Sequence, residues 1–85
     1  MPKFRVSQFQ PGKVTKATEI LQLALVETVG ARDMVRGLYN AQTMSAVAAF
    51  QREAGHLSGN GQMDDATLHR LAARTGYRYF RPQTA

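Results

Sequence analysis

The stretch Arg36–Phe50, RGLYNAQTMSAVAAF, decides the fold because its pattern occurs a second time in the chain, in NGQMDDATLHRLA, residues 60–72. In each copy a glycine provides backbone freedom, and an apolar residue two positions later can fill the core. An Asn or Asp then caps the helix that follows. The repeat predicts one loop-to-helix junction that is used twice. The matched pairs, 24 positions apart, are Gly37 and Gly61, Tyr39 and Met63, Thr43 and Thr67, and Val47 and Leu71.

The two threonines of the repeat fall three residues after the expected caps, Asn40 and Asp64. In the first turn of a helix, a threonine hydroxyl can bond to free amide or carbonyl groups of the preceding loop. We therefore expect Thr43 and Thr67 to fasten each helix to its own loop.

Apolar residues at helical spacing predict three helices, at about 15–29, 41–54 and 65–75. Three short helices joined by loops of about ten residues predict an all-α fold, a compact three-helix bundle over residues 14–76. The expected bounding residues are Thr15 and Gly30, Asn40 and Gly55, and Asp64 and Gly76. The expected buried stripes are Ala17, Leu21, Ala24, Leu25 and Thr28 in the first helix, Met44, Val47, Ala48 and Gln51 in the second, and Leu68, Leu71, Ala72 and Thr75 in the third.

Two basic segments flank this bundle: an N-terminal arm over residues 1–13, expected to be extended, and an aromatic tail over residues 77–85. Their apolar side chains are too many for free tails, so they either pack on the bundle or dock on a neighbouring protein. Under the second alternative the partner-binding residues are Phe4, Arg5, Val6, Tyr77, Arg78, Tyr79, Phe80 and Arg81.

The net charge of +5 is concentrated at the ends of the chain. Residues 1–16 and residues 70–85 each carry four cations and no acid, whereas residues 17–69 carry three arginines and six acids. Basic ends suit tethering to an anionic surface, and they equally suit solubility. They do not favour nucleic acid as a partner, because the third helix begins with two aspartates that would repel phosphate.

The repeat, together with the preceding Leu21-Gln22, resembles the peptidoglycan-binding domain family, small three-helix modules attached to bacterial cell-wall hydrolases. That family typically reads LQxxL, then DGxFGxxTxxAVxxFQ, then GLxxDGxxGxxTxxxL. The resemblance covers residues 17–75 if His56 is a one-residue insertion. The matching residues are Leu21, Gln22, Leu25, Gly37, Tyr39, Thr43, Ala46, Val47, Phe50, Gln51, Gly55, Leu57, Gly61, Ala66, Thr67 and Leu71.

The resemblance implies peptidoglycan, glycan strand with stem peptide, as the ligand of a groove beside the two loops. Tyr39 either stacks on a sugar or peptide or fills the core. Arg36 can meet stem-peptide carboxylates, and amide side chains can bond to hydroxyls and amides. The candidate ligand residues are Arg36, Tyr39, Asn40, Gln42, Asn60 and Gln62. The chain departs from the family's consensus pattern at three pairs of positions. The family usually has acids where this chain has Arg36 and Asn60, glycines at Asn40 and Asp64, and prolines at Ala41 and Asp65.

No catalytic residue, cofactor or metal is expected. The chain has no cysteine, and His56 and His69 are the only histidines. Asp65 and His69 lie one helical turn apart, but two ligands do not make a metal site. No signal peptide or membrane span is visible, so we expect cytoplasmic synthesis. The resemblance implies that the protein acts at the cell wall, alone or as part of a virus-like particle. The alternative function is a structural component of a phage or phage-like particle that assembles through the two arms.

Overall fold

The computed structural model describes residues 4–55 and 59–80. Over these residues the chain forms α1 (Lys16–Val29), α2 (Ala41–Glu53) and α3 (Asp65–Thr75). Two single 3-10 turns flank the helices, an N-terminal turn at Val6–Gln8 and a C-terminal turn at Arg78–Phe80. The predicted all-α three-helix bundle is confirmed. Among the described residues, β structure is confined to one isolated antiparallel bridge between Val14 and Leu38.

The predicted helix caps are confirmed at all three N-termini. The side-chain oxygens of Thr15, Asn40 and Asp64 accept hydrogen bonds from the backbone amide three residues later, which satisfies an amide that the helix itself leaves free.

The C-termini of the helices follow the prediction in two cases out of three. Helix α1 closes on Gly30 and α3 on Gly76, both in the left-handed conformation. Helix α2 ends on Ala54, which is still in the right-handed helical conformation, and the left-handed Gly55 follows it. The expected end of α2 is therefore displaced by one residue.

The core lies where the three helices meet the segments outside them. Its larger members come from α1, α2 and α3 and also from four positions in the turns and loops. Thr28, Met44, Ala48, Ala72 and Thr75, expected on the buried stripes, are half-buried. In their place the polar residues Thr18, Gln22, Thr43 and Thr67 are buried, because the loops pack on the helices. The large buried apolar residues are Leu21, Leu25, Val47, Phe50, Leu68 and Leu71 from the helices, with Phe9, Tyr39, Met63 and Phe80 from outside α1, α2 and α3.

The two ends of the chain are fastened to each other. The Phe4 amide donates to the carbonyl of Tyr79 at 2.9 Å, and the two rings stack with their centroids 5.1 Å apart. Phe9 and Phe80 are buried in the core beside this stack. The ends therefore close the bundle, in place of the extended arms that the sequence suggested, and the N-terminal segment contains a turn.

This packing corrects the expectation that the apolar residues of the arms bind a partner protein. Phe80 is completely buried, and Phe4, Val6 and Tyr77 pack against the core. Of the other predicted arm residues, Tyr79 is half-buried, Arg5 and Arg78 are exposed, and Arg81 lies outside the described residues. The physical reason is the size of the domain, since a bundle of three short helices gains apolar burial by folding its own aromatic ends back on itself.

Candidate functional site

The first loop-to-helix junction is held by a buried glutamine of α1. Gln22 Oε1 accepts from the Gly37 amide at 2.8 Å, and Gln22 Nε2 donates to the carbonyls of Val35 and Leu38 at 2.8 and 3.2 Å. The same nitrogen lies 3.1 Å from Thr43 Oγ1, which in turn donates to the Leu38 carbonyl at 3.0 Å. One side-chain amide thus joins α1 to both the loop and the first turn of α2.

The second junction repeats this network with a glutamine of α2. Gln51 Oε1 accepts from the Gly61 amide at 2.9 Å, while Nε2 donates to the Gln62 carbonyl at 2.8 Å and to Thr67 Oγ1 at 2.9 Å. Gln51 has no exposed surface. Each copy of the repeat is therefore completed by a glutamine in the preceding helix, which bonds to the glycine and the threonine of that copy.

Gly61 is needed for close approach as well as for its bond to Gln51. Its φ of +81° is in the left-handed region, and an added Cβ would lie 2.5 Å from the carbonyl oxygen of Met44 in α2. Any other residue there would push the loop away from α2 and stretch the Gln51 network.

Tyr39 joins the two loop-to-helix junctions to each other. Its hydroxyl donates to the Gly61 carbonyl at 2.6 Å, and its ring has no exposed surface. Its backbone also pairs with the N-terminal segment, where the Tyr39 amide donates to Lys13 and its carbonyl accepts from Gly12. Burial raises the pKa of Tyr39 far above its ordinary value of 10.0, and the negative charge of Asp64 adds to this effect.

The buried position of Tyr39 corrects the expectation that its ring stacks on a ligand. A stacking ring needs one open face, and here both the ring and the hydroxyl are used inside the protein. Of the two alternatives that the sequence left open for Tyr39, the structure has the core position. Its counterpart in the second copy, Met63, is buried in the same way.

The remaining predicted ligand residues lie on the two junctions that Tyr39 holds together. Arg36 is exposed, but its guanidinium contacts Glu19 Oε1 through Nε at 2.9 Å and Nη2 at 2.6 Å, which holds the pKa of Glu19 below its usual value. Gln42, Asn60 and Gln62 are exposed, with Asn60 Oδ1 accepting from the Gln62 amide at 3.0 Å.

Asn40 is half-buried, and its side-chain oxygen is used as the cap of α2. The exposed groups that remain for a ligand are thus the side-chain amides of Gln42, Asn60 and Gln62. The guanidinium of Arg36 is exposed too, but it is already paired with Glu19.

A groove that the sequence did not predict lies between α1 and the C-terminal turn. It has a volume of about 480 Å³ and is lined by Ile20, Leu23, Tyr77, Arg78 and Tyr79. The sequence feature that could have indicated an exposed apolar surface on α1 is the pair Leu23 and Val26. Both are large apolar residues outside the stripe expected to be buried. Both are more than half exposed.

The described residues contain no group of three or more His, Cys, Asp or Glu side chains that could hold a metal ion. His69 is exposed on α3, and His56 lies outside the described residues. No helix within 4–55 and 59–80 is long and apolar enough to cross a membrane.

Comparison of the chain with protein-family models, with curated proteins and with solved structures finds no match.

The Gln51 network predicts a large cost for losing one side-chain amide. In Gln51→Leu the Gly61 amide and the Gln62 carbonyl lose their buried partner, so the free energy of unfolding should fall by about 2–4 kcal/mol. Urea unfolding followed by circular dichroism measures this. The control is Gln42→Leu, the same change at an exposed position of α2, which should cost less than about 0.5 kcal/mol. Equal effects of the two variants would contradict the role assigned to Gln51.

The buried Tyr39 hydroxyl predicts a loss of stability at high pH. Tyrosine ionises near pH 10 in the unfolded chain, whereas Tyr39 keeps its proton in the folded chain. The unfolded state then binds fewer protons, and the free energy of unfolding should fall by about 1.4 kcal/mol per pH unit above about pH 10. Urea titrations between pH 8 and 11 measure the slope. Tyr39→Phe should be less stable at pH 8 but have a shallower slope above pH 10, and identical slopes would refute the prediction.

Proposed function

We propose that this protein is a non-catalytic binding module that attaches itself, or a larger assembly that carries it, to the peptidoglycan of the bacterial cell wall. The contact surface is the pair of loop-to-helix junctions, through the exposed amides of Gln42, Asn60 and Gln62. Arg36 lies at the first junction, paired with Glu19, and its exposed guanidinium can also meet a stem-peptide carboxylate.

The observation that carries this proposal is the placement of exposed side-chain amides at the two junctions, Gln42 in the first turn of α2 and Asn60 and Gln62 just before α3. A side-chain amide both donates and accepts, as do the N-acetyl, peptide and hydroxyl groups of a glycan strand with its stem peptide. The loops beneath these amides are fixed by the Tyr39–Gly61 bond and by the Gln51 network. The backbone at the junctions therefore needs little ordering when a ligand binds, and this preserves affinity.

The resemblance to the peptidoglycan-binding domain family also supports the proposal. Gln22, Gly37 and Thr43 in the first copy, and their counterparts in the second, carry the resemblance and also form the two hydrogen-bond networks. Two departures from the family's spelling, Asn40 and Asp64, act as helix caps. The departures at Arg36 and Asn60 lie on the exposed surface, so they change what a ligand meets without disturbing the loops.

A second candidate function is a structural role in a phage or phage-like particle, by protein–protein contact. The arms no longer support this candidate, because their aromatic residues pack against the core of the protein. The specific observation that favours it is the apolar groove between α1 and the C-terminal turn. The two functions are compatible, since the wall contact and the particle contact use different residues.

Binding to purified, protein-free sacculi tests the proposal. The wild-type protein should co-sediment with sacculi at moderate salt. Gln42→Ala/Gln62→Ala should weaken binding about tenfold, because it removes two hydrogen-bonding groups of about 0.5–1.5 kcal/mol each. Gln10→Ala, which removes an exposed amide from another segment, should bind like the wild type. Melting temperatures of all the variants establish that they are folded.

Absence of wild-type retention on sacculi would refute wall binding. Retention that is unchanged in Gln42→Ala/Gln62→Ala would refute the contact surface assigned here.

A further inference from the structure

The exposed side of α1 carries large apolar residues beside its charged ones. Leu23 and Val26 are 57% and 52% exposed and lie one helical turn apart. Leu23 lines the groove beside the C-terminal turn, and both residues line a neighbouring hollow of about 240 Å³, whose lining also includes Met34 and the charged residues Glu19, Arg32, Asp33 and Arg36. Exposed apolar side chains that line a groove on a small domain provide a surface on which another molecule can dock. We call the Ile20, Leu23, Tyr77, Arg78 and Tyr79 surface the α1 groove.

The aromatic wall of the α1 groove is preformed. The Tyr79 ring stacks on Phe4, and the Tyr77 ring stacks on Phe80 with centroids 5.8 Å apart. A hydrogen bond between the Tyr77 hydroxyl and the Glu27 carboxylate raises the pKa of Tyr77. Because both rings are already fixed, an occupant does not bear the cost of ordering them.

The lining of the α1 groove defines the chemistry of its occupant. Four of its five side chains are Ile, Leu or Tyr, and the fifth is Arg78. A sugar site needs several converging polar groups, which this lining does not offer. An apolar groove along a helix fits apolar side chains presented at helical spacing by a second helix.

Charge selects among apolar occupants. Arg78 is the charged residue of the groove lining and has no ion pair with any residue in 4–55 or 59–80, whereas the nearby Glu27 carboxylate is engaged by the Tyr77 hydroxyl. A carboxylate on the occupant would pair with it. A second copy of this chain is disfavoured, because each chain carries a net charge of +5 and a two-fold contact through so small a groove would place both Arg78 side chains in one interface.

We infer that the α1 groove docks an amphipathic helical segment of another protein, a segment that presents apolar side chains next to a carboxylate. This contact is separate from the wall contact proposed above and does not depend on it.

A pair of designed peptides tests the inference on the full chain. Both are 18-residue helix-forming peptides with leucines at the same i, i+3, i+4 and i+7 positions, and the flanking residues are glutamate in one and lysine in the other. Titration into the 15N-labelled protein should give saturable shifts of the amides of Ile20–Val26 and Tyr77–Tyr79 with the acidic peptide. The lysine peptide should bind at least tenfold more weakly.

Variants locate the contact. Leu23→Asp should weaken binding of the acidic peptide at least tenfold, whereas Val14→Asp, the same charge change at a valine that is 72% exposed outside the groove, should change it less than twofold. Arg78→Gln should weaken the acidic peptide and reduce the difference between the two peptides. Melting temperatures show that each variant is folded.

Four results would overturn the inference. They are no saturable shifts with the acidic peptide, shifts centred outside the α1 groove, equal binding of the two peptides, and equal effects of Leu23→Asp and Val14→Asp. Two further measurements identify a different occupant. Self-association that Leu23→Asp abolishes in sedimentation velocity would assign the groove to a second copy. Leu23-dependent binding to phosphatidylglycerol vesicles without peptide binding would assign it to a lipid surface.

Discussion

The structure depends on a buried side-chain amide that is bonded at both ends, once in Gln22 and once in Gln51. A domain of this size must bring its loops against its helices to make a core, and loops carry backbone amides and carbonyls that are costly to bury without partners. A glutamine solves this because it offers an acceptor and two donors on one planar group. In both copies the acceptor takes the glycine amide, and the donors reach a loop carbonyl and the threonine hydroxyl.

The other features of the fold follow from these two fixed loops. With the loops held, Asn40 and Asp64 are in place to cap α2 and α3. Tyr39 can then cross between the two junctions and donate to Gly61, and its backbone receives the N-terminal segment. That segment carries Phe4 to Tyr79, so the chain closes at both ends around one core. The repeated sequence is thus first of all architectural, because it fixes the two junctions at which α2 and α3 begin.

The sequence predicted those features whose causes are local. The helices and their N-terminal caps depend on residues within a turn of each other, and they agree with the structure to within a residue at the end of α2. The bonds of Gln22 were not predicted, because they reach residues 13–21 positions away and a helical glutamine ordinarily marks a solvated face. The choice for Tyr39 between core and ligand also depended on distant contacts. The α1 groove was missed for the same reason, since residues that lie far apart in sequence form its two walls.

Amide hydrogen exchange at Gly37 and Gly61 tests the central claim most directly, since the claim is that the two glutamines make these loops part of the cooperative core. Loop amides ordinarily exchange through small local openings, whereas core amides exchange only when the domain unfolds. We expect the Gly37 and Gly61 amides to exchange with an opening free energy within about 1 kcal/mol of the slowest amides of α1. Exchange as fast as that of the exposed residues Arg32 and Asp33 would contradict the claim.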